Sequence, residues 1–89
     1  MHIIRLRAAW EVEGDLAIRR FNRPTGLEGG DRVWLAWDGA VERAELNGVG
    51  LPPRNNRHDV TELLKAHNEL SLVAESTTPP TVRLEIAPA

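Results

Sequence analysis

Cysteine is missing from this 89-residue chain, so neither a disulfide framework nor a thiolate metal site can staple it. No stretch approaches the roughly 18 consecutive apolar residues of a membrane-spanning helix. Met1-His2-Ile3-Ile4-Arg5 lacks the charged start and apolar middle of a secretory signal, and the expected location is the cytoplasm. An excess of positive charge is also missing. The formal net charge is −2, whereas neutralising phosphates calls for a basic field, so nucleic acid is not the expected partner. Arg19, Arg20 and Arg23 are a local exception, read as a solvated strand edge.

Reactive constellations are absent too. His2, His58 and His67 lie far apart, with none of the spacings that place two imidazoles on one metal. No acidic loop offers the alternating oxygen ligands of a calcium site. Gly48-Val49-Gly50 precedes no helix and so is no phosphate loop. Ser71 and Ser76 lack a nucleophile elbow and an evident base. Thirteen acidic residues always supply some pair of carboxylates, but most fall opposite the apolar set of a strand, where charge keeps a surface soluble. The expectation is a protein that is not an enzyme, with no catalytic residue, no metal and no cofactor.

What is present is strand grammar. With 42% hydrophobic and 27% charged residues the composition is that of a soluble globular protein, and its length suits one domain spanning 1–89. A chain this short buries only about 60–65% of its extended surface, so a partner subunit would add to its stability. Ile4, Leu6, Ala8, Trp10 and Val12 alternate with polar or small residues, predicting one half-buried strand with Trp10 in the core. Leu16 to Phe21 is a second strand of open register, since Ile18 and Phe21 fall on opposite faces. A loop holding Pro24 follows. In the next strand, Asp31 to Trp37, Val33, Leu35 and Trp37 point inward and Trp34 points out.

Asp38-Gly39 is a turn signal, and Val41 to Leu46 is a strand with Ala44 and Leu46 inward. Asn47-Gly48 supplies two residues that tolerate positive φ, as a two-residue hairpin demands; this turn role already accounts for Asn47. Val49 to Leu51 returns, stopped by Pro52-Pro53. Arg54 to His58 is read as loop. Asp59 and Thr61 cap a short helical turn near 61–65. Leu70, Leu72 and Ala74 mark one more strand, Thr77 to Pro80 a turn, and Val82, Leu84 and Ile86 the last strand. Seven or eight short strands with turn signals every eight to twelve residues or so predict an all-β antiparallel sandwich. The first and last strands are expected to pair, bringing Arg5 and Arg7 near Arg83 and Glu85.

The order of landmarks resembles a known family. Phe21 and Pro24 stand ahead of a loop; then come Arg32-Val33-Trp34-Leu35, Ala44-Glu45-Leu46-Asn47-Gly48, Asp59-Val60-Thr61 with Leu63-Leu64, and Asn68 before Leu70 and Leu72. This pattern is similar to the sugar-binding jelly-roll domain of family-two glycoside hydrolases, the β-galactosidase and β-glucuronidase type, itself galactose-binding-like. The resemblance implies a jelly-roll sandwich that assists catalytic carboxylates carried by a separate barrel. Without the barrel it implies a non-catalytic, carbohydrate-binding module. The alternative is a protein-interaction or assembly domain, such as a small homo-oligomer, with no sugar ligand.

Six residues are candidates for ligand binding. An outward indole at Trp34 can stack on a sugar or anchor a protein partner, or it can pack under a neighbouring long side chain. Arg54, Asn55, Asn56, Arg57 and His58 offer donors for hydroxyls or a carboxylate at one end of the sandwich, or form a solvated loop.

Overall fold

The structure, a computed structural model, describes residues 1–75 and 80–88. Two antiparallel sheets pack face to face. Strands β1 (His2–Arg5), β9 (Thr81–Ala87), β4 (Arg32–Asp38) and β7 (Arg57–Asp59) form one sheet, in that order. The other runs β2 (Trp10–Glu13), β3 (Leu16–Asn22), β8 (His67–Ala74), β5 (Val41–Leu46) and β6 (Val49–Leu51). One 3₁₀ turn, Thr61–Leu63, is the sole helical element among the described residues. No helix there is long and apolar enough to cross a membrane.

The core is what the alternation predicts. Val33, Leu35 and Trp37 of β4 meet Leu46, Leu70 and Leu72 of the opposite sheet, with Val82 and Leu84 beside them, all nearly inaccessible to solvent. Leu6, Leu35 and Leu72 share this interior. The β5–β6 hairpin pairs Leu46 with Val49 and turns through Asn47 (φ 53°) and Gly48 (φ 81°), the two positive angles anticipated for Asn-Gly.

Several expectations are corrected. The strand predicted from Ile4 through Val12 is two strands, one in each sheet. Residues 6–9 carry the chain across, with Ala9 at φ 63° and the Trp10 indole N–H donating to the Leu6 carbonyl (2.9 Å). Period-two alternation survives such a crossing because Leu6 and Trp10 still face the interior. Trp10 is only half-buried against the core, however, and Ala8 and Val12 lie exposed. That split, together with β7, raises the strand count to nine among the described residues. β7 also overturns the reading of Arg57 and His58 as loop: they pair with β4, Leu35 opposite His58 and Ala36 opposite Arg57.

The helical turn stops at Leu63 instead of reaching residue 65. The side-chain amide of Asn68 takes over as partner for Lys65, accepting from its N–H (2.8 Å) and donating to its carbonyl (2.9 Å). Its N-cap residue is the buried Val60; Asp59 instead accepts the Thr61 N–H (3.1 Å), while the Thr61 hydroxyl accepts the Val33 N–H (2.8 Å) and ties the turn to β4. β1 and β9 pair as expected, with Arg5 opposite Arg83; Glu85, though, faces Ile3, and Arg7 lies beyond the strand. Of the turn expected at Thr77 to Pro80, residues 77–79 lie outside the described residues.

Candidate functional site

Two surfaces gather polar chemistry, and they differ in how completely their charges are answered. The first is the outer face of the four-stranded sheet. Trp34 points outward there as its alternation predicts, and it is half-buried because the Arg57 guanidinium lies 3.8 Å from the ring centroid. This is packing under a neighbouring long side chain, strengthened by a cation–π contact. Arg57 also donates to Glu85 (2.8 Å), which accepts from Arg83 as well (2.9 Å), and Arg83 reaches Asp38 (3.0 Å). The hydrogen bond from Arg57 holds the Glu85 carboxyl below the usual carboxylate range, against burial, which pushes it up. Nearby, Arg32 clasps Glu62 with two bonds of 2.9 Å and Asp59 with one of 2.8 Å. Burial works to raise the Asp59 carboxyl, but the bonds from Thr61 and Arg32 outweigh it and the net shift is downward. Every charge in this ladder has its counter-charge.

The six sequence candidates do not converge. Trp34 and Arg57 are stacked together on that outer face. Arg54, Asn55 and Asn56 remain in the loop before β7. His58 turns to the other side, its ring centroid 5.1 Å from that of buried Trp37 and its Nε2 2.8 Å from the Asn55 carbonyl.

The second surface is a cleft of about 900 Å³ between the sheets, where the edge of β1 faces β3 and β8. Ile4, Leu6, Phe21 and Leu84 supply apolar walls from both sheets. Asn47 and Asn68 stand at the end near the hairpin and are committed to the fold. Asn47 Nδ2 donates to the Leu63 carbonyl and to Asn68 Oδ1, both at 2.9 Å, and its Oδ1 accepts the Glu69 N–H (2.9 Å). Asn68, 3% exposed, spends its amide on Lys65 and Phe21.

The groups left over are cationic or donors. Arg5, Arg19, Arg20 and Lys65 line the cleft against a single acid, Glu69. Arg20 is taken by Glu69 (3.3 Å) and Glu11 (2.8 Å). Arg5, Arg19 and Lys65 have no carboxylate within salt-bridge distance among the described residues. Beside them, His67 Nδ1 meets Asn22 Oδ1 at 3.0 Å.

Arg19 corrects the sequence reading. It is not on a solvated edge: β3 pairs it with Leu70 and Trp10, so it shares the inner face with Ala17 and Phe21. Nη1 donates to the Arg20 carbonyl, while Nε is buried with no hydrogen-bond partner. Anchoring the register of β3 on Phe21 would have revealed this, since positions 17, 19 and 21 must then face inward together. Among the described residues no group of three or more acidic or histidine side chains could hold a metal ion.

Compared with known proteins, the chain matches no family model, no curated protein and no solved structure.

Proposed function

We propose that this chain is a non-catalytic binding module, of galactose-binding-like jelly-roll kind, that holds a small hydroxyl-rich ligand of the carbohydrate class in the inter-sheet cleft. The carrying observation is the cleft: its volume of about 900 Å³ falls in the usual range for small-molecule sites. Its walls follow the usual division of labour, with apolar area from Phe21, Leu84 and Ile4 and a few convergent donors from Arg19, Lys65 and Asn22. The landmark pattern shared with sugar-binding jelly rolls supports the ligand class. A binding role without catalysis is supported by the cleft's one acid, Glu69, being tied to Arg20, whereas glycoside hydrolysis uses two carboxylates. A chain without cysteine suits a reducing cytoplasm.

The test is a titration of the 15N-labelled protein with neutral and acidic monosaccharides and disaccharides. Amide shifts confined to Phe21, Asn22, Lys65 and His67 are expected; silence across both sugar classes would remove the proposal. The assembly-domain alternative draws on β1, an edge strand with Ile3 42% exposed. Sedimentation over a range of concentrations separates it, a dimer abolished by Ile3→Lys being its signature.

A further inference from the structure

Resting on the proposal of a cleft ligand, we infer that this ligand carries an oxyanion, a carboxylate or a phosphoryl group, received by Arg19 with Lys65 and Arg5 nearby.

The contrast among the arginines points there. The chain has more acidic than basic residues, 13 against 11, so counter-charges are plentiful. Arg20, Arg32, Arg57 and Arg83 each find a carboxylate within 3.0 Å. Arg19 does not, although it alone among these five stands on the inner face of a sheet, opposite Leu70. Leaving a donor buried and unpartnered destabilises the fold, the more so when it belongs to a charged group.

An arginine that merely covers apolar surface extends its charged end into water; here Nε is sealed off instead. With Nε enclosed and Nη1 on the Arg20 carbonyl, the guanidinium is held in place at the wall of the cleft, where its terminal donors can meet an oxygen of a carboxylate or phosphate. Arg5 and Lys65 add positive potential, the cleft's one acid, Glu69, is taken by Arg20, and a low-dielectric cleft concentrates that potential. The protein is acidic overall and basic at this recess.

Calorimetric titration of the intact protein with glucose, glucuronate, glucose 6-phosphate and inorganic phosphate tests the inference. At least one acidic sugar is expected to bind about tenfold tighter than glucose at low ionic strength, with the gap closing as salt rises. Which acidic sugar leads tells carboxylate from phosphoryl, and either result supports the inference. Arg19→Met should weaken the acidic sugar about tenfold more than glucose and so abolish the preference, and Arg19→Lys, which keeps charge but loses the fork, should recover part of it. Circular dichroism confirms that both variants fold.

Equal affinity for glucose and the acidic sugars would overturn the oxyanion assignment and leave the carbohydrate proposal standing. So would a preference that survives Arg19→Met. Inorganic phosphate binding as tightly as glucose 6-phosphate overturns the sugar half instead. Silence toward all four removes both.

Discussion

Replacing Arg19 by methionine should make the free protein more stable. Two effects oppose each other. The substitution removes a buried Nε that lacks a partner, relieving a penalty of about 1–3 kcal/mol. It also deletes the bond from Nη1 to the Arg20 carbonyl, which is worth about 0.5–1.5 kcal/mol net. Methionine retains the apolar stem that packs along the inner face opposite Leu70 and Trp10, and its flexibility lets it fill the space left by the guanidinium. The balance is a gain of about 1 kcal/mol, or a melting temperature about 4–8 °C higher for a domain of this size. Urea unfolding followed by tryptophan emission measures it, because Trp37 is fully buried and reports loss of the core. An unchanged slope with a higher midpoint is the expected signature. A loss of about 1 kcal/mol or more would refute the reasoning, since Arg19 would then be supporting the fold rather than burdening it.

Asn68→Ala should cost about 3 kcal/mol in the same assay, because the Lys65 N–H and the Phe21 and Lys65 carbonyls each lose the bond to its side chain and the Asn47 amide keeps only the Leu63 carbonyl. Gly48→Val should cost about 1–2 kcal/mol by forcing a β-branched residue to φ 81°, read as a lower urea midpoint. Glu85, Asp59 and Glu62 all have depressed carboxyl pKa values, so the unfolded chain takes up protons before the folded one does. Stability from these groups is complete above the ordinary carboxylate range and falls as pH drops through and below it. A melting curve series from pH 7 to about pH 3 checks this, and Glu85→Gln should flatten the slope.

Much of the fold was legible because alternation and turn chemistry are local. Val33, Leu35 and Trp37 announce a buried face by spacing alone, and Asn47-Gly48 names its own turn. The crossing between β1 and β2 was not legible. A chain that changes sheets keeps its inward residues inward, so Ile4, Leu6 and Trp10 read as one strand. β7 was hidden because Arg57-His58-Asp59 carries no apolar signal; its pairing is supplied by β4 and its polarity by an outer face built on ion pairs. Trp34 was placed on the correct face, but the side chain that covers it comes from 23 positions further along the sequence, beyond any local pattern. The cleft was the least visible of all. Its walls come from β1, β3, β8 and β9, and its distinguishing residue disguises itself as one of three neighbouring surface arginines.

Both sheets are organised around strands made late. β9 lies between β1 and β4, and β8 lies between β3 and β5. During synthesis the first half of the molecule can therefore form its β2–β3 and β5–β6 hairpins but cannot join them into sheets. Until residues 67–87 emerge, β1 and β4 have no common neighbour, and neither do β3 and β5. Assembly must therefore wait for distant partners, which places this chain among the slower-folding small domains despite its length. In the interval the hydrophobic faces of β3, β4 and β5 stand open to solvent, the state in which a nascent β protein most needs a chaperone.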